Sequence, residues 1–264
     1  MDLIDTHCHL DLDVYDGDRD EVFARAKAAN VRFFVNPAFD LSSSARAAAL
    51  AAARNDTWAA VGIHPNAAGA LDATALAALR ALAAHPRVVA IGEIGLDYHW
   101  NSFPADVARA TFVRQIELAQ TLRKPIIIHC RDAMADVLSI LAEVNDSRDQ
   151  VPVLLHAFSG DADQARIAVE RGWLIGIGGP LTYKRSEALR AIASRAPLGS
   201  IVLETDSPYL TPEPFRGRRN EPSHVAEVAA RLASLRGIDP AEIASKTSAN
   251  ALKFFNIHST LAQA

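Results

Sequence analysis

The chain has 264 residues, half of them hydrophobic and 22% charged, which excludes a disordered or low-complexity protein and leaves an ordinary globular core. That length is close to the ~250 residues of one complete (β/α)₈ barrel, though two small domains would also fit it. A net charge of −4 excludes a protein that grips duplex nucleic acid along many phosphates, such as a repressor, but not an enzyme that holds a few phosphates locally.

In chain order, residues 3–6 form the first of eight short apolar, β-branched runs, each strand-length rather than helix-length. The others are 32–36, 58–62, 88–92, 125–128, 153–155, 174–177 and 200–204. Between them lie alanine-rich stretches with helical spacing at 19–29, 42–54, 73–83, 105–122, 133–144, 162–170 and 187–194. Two more helical stretches, 222–235 and 240–255, follow the last strand. Asp161 suits a helix N-cap, and Gly172 suits the turn that ends the same helix. Thr111, Phe112, Gln115, Ile116, Ala119 and Leu122 recur at i, i+3, i+4 spacing and predict one buried helix face. Strict alternation of strand and helix predicts parallel strands joined by helical crossovers. Eight repeats in this length predict a single TIM-type (β/α)₈ barrel over 1–264, with residues 211–222 as an active-site loop.

The only cysteines, Cys8 and Cys130, are far apart and each adjoins a histidine, so no disulfide framework is expected and a reducing compartment is. The N-terminus MDLIDTHCHL lacks a basic segment, and no apolar run reaches ~18 residues. A cytoplasmic chain with no membrane partner is expected. Nothing in the sequence calls for a protein partner, and a monomer is expected.

Barrel enzymes build their sites at the C-terminal ends of the strands. His7 and His9 follow the first run, His64 the third, Glu93 the fourth, His129 the fifth and His156 the sixth. Glu204 and Asp206 close the eighth. Side chains at i and i+2 of a strand share a face, so His7 and His9 can share one ion while Cys8 points to the helix layer. Glu93, read as the end of its strand, can bridge two cations with one oxygen each. His129 and His156 would serve the second ion and Asp206 the first. Mixed imidazole and carboxylate donors suit Zn²⁺, Mn²⁺ or, with waters, Mg²⁺. His85, His99, His224 and His258 read as solvated helix or loop positions without a ligand role.

The motifs Ile4-Asp5-Thr6-His7-Cys8-His9-Leu10, Val61-Gly62-Ile63-His64-Pro65 and Ile91-Gly92-Glu93-Ile94-Gly95-Leu96-Asp97 resemble the TatD family of metal-dependent deoxyribonucleases. So do Ile128-His129-Cys130-Arg131, His156-Ala157-Phe158-Ser159-Gly160, Leu203-Glu204-Thr205-Asp206-Ser207-Pro208 and Arg216-Gly217-Arg218-Arg219-Asn220-Glu221-Pro222. The resemblance implies an amidohydrolase-like barrel with two divalent cations that hydrolyses phosphodiesters at DNA or RNA ends. By motif, one ion takes His7, His9, Glu93 and Asp206, and the other takes Glu93, His129 and His156.

Two-metal hydrolysis would use a water acidified between the ions, with Asp206 accepting its proton. Glu204 would orient a water or recruit a further cation, or else partner a histidine. His64 would donate to a phosphate oxygen or brace the metal shell. Arg131, Lys184, Arg185, Arg216, Arg218 and Arg219 follow strands and would hold phosphates. Tyr98, Trp100 and Phe103 would stack bases or pack as a lid. The rival readings are a lactonase, phosphotriesterase, amidase or aminoacyl-tRNA ester hydrolase, and a non-catalytic binding protein on a barrel scaffold.

Overall fold

The computed structural model describes residues 2–146 and 149–257. Eight strands, β1 (Leu3–Asp5), β2 (Val31–Pro37), β3 (Thr57–Val61), β4 (Val88–Asp97), β5 (Ile126–Arg131), β6 (Val153–Leu155), β7 (Leu174–Ile177) and β8 (Ile201–Leu203), pair in parallel in chain order. Helices α1 (Arg19–Ala28), α2 (Leu41–Ala53), α3 (Ala73–Ala83), α4 (Ala105–Leu122), α5 (Met134–Val144), α6 (Ala162–Glu170) and α7 (Glu187–Arg195) make the crossovers. Helices α8 (Val225–Arg236) and α9 (Pro240–Phe254) follow β8. The sheet nearly closes on itself: Thr6 N–H donates to Leu203 O at 3.1 Å, and Cys8 and Ser207 form a parallel bridge just beyond. The expected TIM-type barrel is therefore the observed fold.

Parallel strands covered on both faces are apolar throughout, and alternation decides which way each residue points. Ile4, Val35, Ala60, Ile127, Leu154 and Val202 fill the barrel interior. Their neighbours Leu3, Phe34, Val61, Ile128, Leu155 and Leu203 pack against the helices. Cys8 belongs to that outer layer, as its position in the His-Cys-His triplet predicts. Ala251 and Phe254 of α9, with Phe255 and Ile257 just after it, join the interior cluster and plug the end of the barrel away from the strand C-termini. Asp161 caps α6 by accepting the Gln164 N–H, and Gly172 adopts φ 74° where that helix ends. Four of the α4 stripe residues, Phe112, Gln115, Ile116 and Ala119, are fully buried.

The largest departure from the sequence reading is at β4 and β5. Each continues past its expected end, and the two extensions pair with each other, Gly95 with His129 and Asp97 with Arg131. Glu93 and His129 therefore lie inside strands rather than at their ends. Between Ile91 and Ile94 the register slips, with two β4 residues, Gly92 and Glu93, facing one of β5, Ile127. Such a bulge bends the strand and re-aims a side chain, here that of Glu93. Gly92 permits it, because a Cβ there would come within 2.7 Å of the Ile127 Cβ. Among the described residues no helix is long and apolar enough to cross a membrane.

Candidate metal centre

The strand ends deliver their polar residues to one mouth through backbone ties between neighbouring strands. Asp206 N–H donates to His7 O and His9 N–H to Ser207 O, both at 2.8 Å, which pins the segments after β1 and β8 together. Glu93 N–H donates to Ala38 O at 2.8 Å, and His156 N–H to Ile128 O at 3.0 Å. Asp206 and Ala157 hold positive φ angles of 54° and 41°. A non-glycine residue in that region costs energy, and such strain concentrates where the chain turns side chains into a site.

Glu93 stands at the centre. Its Oε2 lies 3.4 Å from His7 Nε2, and its Oε1 lies 2.8 Å from His129 Nδ1. His9 Nε2 is 3.4 Å from Asp206 Oδ1, and its Nδ1 is fixed by Pro37 O at 3.1 Å. His156 Nε2 is 3.8 Å from both Glu93 Oε1 and Asp206 Oδ1, while its Nδ1 faces Glu204 Oε1 at 3.0 Å. Donor atoms converge in three sets: His7, His9 and Glu93; His7, His156 and Asp206; and His64, Glu93 and His129. His156 thus falls in a set with His7 and Asp206, while its Nε2 is equally near the Glu93 oxygen that faces His129.

The donor set fits a divalent cation. His7 is fully buried, and neither of its ring nitrogens makes a hydrogen bond to the described residues. Its ring stacks on that of His156 with centroids 3.4 Å apart. Two stacked imidazoles facing buried carboxylates are costly unless a positive charge joins them. In the chain alone, protons supply that charge. Burial opposes protonation of His129, but Asp97 and Glu93 outweigh it and raise the imidazole to about 9. Burial opposes it for His156 too, yet Glu204, with Glu93 and Asp206, raises it to about 10. Burial would raise the Glu93 carboxyl, but the imidazoles of His7, His129 and His156 hold it well below its usual range.

His64 behaves differently. Its Nδ1 accepts the Asn66 N–H at 3.0 Å, and burial pulls the imidazole down to about 4. The ring is then neutral with its hydrogen on Nε2, the nitrogen 3.9 Å from Glu93 Oε1. That nitrogen is a donor aimed at the site and has no lone pair for a metal.

Glu204 is fully buried, faces His156 and accepts the Ala157 N–H at 2.6 Å, so it braces an imidazole rather than facing solvent. Two further carboxylates that sequence reasoning missed also support the site, Asp97 through an imidazole and Asp5 through the backbone. Asp97 Oδ2 lies 3.0 Å from His129 Nε2, and its Oδ1 accepts the N–H groups of His99 and Trp100. Asp5 accepts from Thr205 N–H, Thr205 Oγ1 and His7 N–H, tying β1 to β8 beneath His7.

The cationic loops divide. Arg131 is exposed with its guanidinium 5.7 Å from the Trp100 ring, and Arg216 lies 3.9 Å over the Tyr183 ring. Lys184, Arg185 and Arg218 are exposed. Arg219 is instead engaged by Asp18 at 2.6 Å and by Val14 O at 2.7 Å, so it anchors the loop. His85 and His99 sit on exposed loops, whereas His224, expected to be solvated, is half-buried on Asn220 and stacked with Phe215. His258 lies outside the described residues.

A family model described as TatD related DNase matches residues 4–256. The chain is 42% identical over 258 residues to the uncharacterized metal-dependent hydrolase YabD of Bacillus subtilis, covering 97% of this chain and 100% of YabD. It is 39% identical over 248 residues to the 3′-5′ ssDNA/RNA exonuclease TatD of Cronobacter sakazakii, covering 91% and 93%. The crystal structure of YjjV, a TatD homolog from Escherichia coli K12, superposes with a TM-score of 0.88 at 33% identity, covering 97% and 98%.

Proposed function

This chain belongs to the TatD-related DNase family and is a metal-dependent hydrolase, and we propose that it removes nucleotides from DNA or RNA ends with two divalent cations, Mg²⁺, Mn²⁺ or Zn²⁺. One cation would be held by His7, His9, Glu93 and Asp206, and the other by Glu93, His129 and His156. The observation that carries the reading is Glu93, whose two oxygens face different imidazoles, His7 on one side and His129 on the other. Cations held there would supply the acidity that activates a water and the charge that stabilises the phosphoryl oxygens.

The chain's own residues do the rest. Asp206 Oδ1 takes the proton of the attacking water, its carboxyl staying ionised because His9 and His156 outweigh the cost of its burial. Glu204 and Asp97 orient His156 and His129 through the nitrogens turned away from the metals. His64 Nε2–H donates to a phosphoryl oxygen, and Arg131, Arg216 and Arg218 hold flanking phosphates. The exonuclease name of the Cronobacter relative supports single-stranded ends as substrate.

The test is metal-reconstituted enzyme on 3′- and 5′-labelled single-stranded DNA, on RNA and on a lactone panel. Stepwise shortening of a labelled strand is expected, with the lactones untouched. Lactone hydrolysis without nucleic-acid turnover would overturn the reading.

A further inference from the structure

Among the described residues three large hydrophobic side chains are exposed, Val14, Trp100 and Tyr209, at 46%, 63% and 57%. All three stand on segments that leave the C-terminal ends of strands, after β1, β4 and β8. Single exposed apolar side chains are common on soluble proteins, but these three all lie on the face that carries the donor cluster. Val14 is aliphatic and its carbonyl anchors Arg219, which leaves two aromatic rings to explain.

Each ring is tied through its backbone to the metal centre. Trp100 N–H donates to Asp97 Oδ1 at 2.9 Å, and Asp97 in turn holds His129. Tyr209 N–H donates to Asp206 O at 2.8 Å, and the Tyr209 ring centroid is 6.2 Å from that of His9. In the order β1 to β8, strands β4 and β8 lie half a barrel apart, so the two residues rise from opposite sides of the mouth that carries the donor cluster.

Their neighbours show what a packing role looks like. Tyr98 gives its hydroxyl to Asp136 at 2.5 Å, and the Phe103 ring covers Gly69. Trp100 meets the His99 ring edge-on at 5.1 Å and Tyr209 the His9 ring at 6.2 Å, yet both remain more than half exposed. The Arg131 guanidinium beside Trp100 supplies the positive charge that a phosphate-linked ligand needs.

We propose that Trp100 and Tyr209 are base-stacking platforms on opposite sides of the metal centre, gripping unpaired bases on both sides of the scissile phosphate. The proposal rests on the nuclease reading and adds the residues that make it selective for single strands. Bases paired in a duplex keep their faces stacked on one another and cannot reach either ring, so a duplex end must fray before it is held.

The test compares binding of a ten-nucleotide thymidine strand with an abasic strand of the same length, so that the phosphate number is equal. Metal-loaded Asp206→Asn protein limits turnover, and fluorescence anisotropy reads affinity. The base-bearing strand is expected to bind more tightly by roughly 5- to 150-fold per stacked base. It should also quench Trp100 emission, because Trp58 and Trp173 are only 6% exposed. In the same background Trp100→Ala with Tyr209→Ala should bring the two strands within twofold, and Trp100→Phe with Tyr209→Phe should keep most of the preference. Equal affinity of both strands for the protein with its rings intact would overturn the platforms while leaving the nuclease reading standing. Failure of both strands to bind would overturn the nuclease reading and the platforms with it. Self-association that disappears in the double alanine variant would assign the rings to contact between copies and overturn the proposal.

Discussion

Asp97→Asn isolates a residue that touches neither substrate nor metal in the proposed arrangement, yet should control metal affinity. Asp97 accepts on both oxygens: Oδ2 from His129 Nε2 at 3.0 Å, and Oδ1 from the N–H groups of His99 and Trp100 at 3.0 and 2.9 Å. An asparagine must turn its NH₂ toward one of those donors, so one side of the arrangement is lost. A hydrogen bond to a charged group is worth about 1.5–3 kcal/mol, and the amide oxygen retains part of it. A net loss of about 1–2 kcal/mol corresponds to roughly 5- to 30-fold at ~1.4 kcal/mol per tenfold. That overlaps the ~10–100-fold cost of removing the outer partner of a metal-bound histidine. Calorimetric titration of Mn²⁺ or Zn²⁺ into the metal-free protein measures it, and NMR titration should show His129 falling from about 9. Metal affinity within twofold of the unsubstituted protein would refute the role given to Asp97 and the use of His129 Nδ1 as a ligand.

Three further outcomes follow from the same geometry. His129 and His156, raised to about 9 and 10 in the metal-free chain, must each release a proton before a nitrogen can ligate. Metal affinity should therefore rise with pH from 6 to 8, by up to ~10-fold per pH unit for each imidazole, and a flat profile would contradict the assignment. Gly176→Ala would place a Cβ 2.3 Å from Glu204 Oε2, so Glu204 must leave His156. Metal affinity and turnover should fall at least tenfold, while far-ultraviolet circular dichroism stays unchanged. Arg216→Ala with Arg218→Ala should raise KM for oligonucleotides and lower the salt slope of binding by ~0.7 for each lost phosphate contact. Arg219→Ala should leave that slope unchanged and change thermal stability little, because Arg219 spends its charge on a surface pair with Asp18; a slope change in Arg219→Ala would reverse the division.

Strand positions are legible in this sequence because strands buried on both faces are written as short β-branched runs. Six of the eight begin and end within one residue of the apolar run that marks them, 174–177 and 153–155 without any shift. The two that overrun, β4 and β5, do so because their extensions stabilise each other through pairing, and glycines at 92 and 95 break the apolar pattern that would have signalled a strand. The imidazoles and carboxylates at the mouth are legible because their residue types are unusual where a barrel core emerges into its loops. Asp5 and Asp97 are not, since their partners Thr205 and His129 lie 200 and 32 residues away and no local spacing joins them. Their signal was the acid itself, set four residues after Glu93 in one case and two before His7 in the other. Exposure is a tertiary property, so nothing in the sequence separated Trp100 from Tyr98 and Phe103 or drew attention to Tyr209. The same holds for Arg219, which differs from Arg216 only in what lies opposite it.

The central claim, that Glu93 joins two cations, is tested most directly by anomalous diffraction from crystals of the protein loaded with Zn²⁺ or Mn²⁺. Two peaks ~3.5–4 Å apart are expected, one on each side of the Glu93 carboxylate, with ligand bonds of ~2.0–2.2 Å if the ion is zinc. His7 and His9 should reach one peak and His129 the other. A single ion with His129 still bound to both carboxylates, or any pair of ions that Glu93 does not touch, would contradict it.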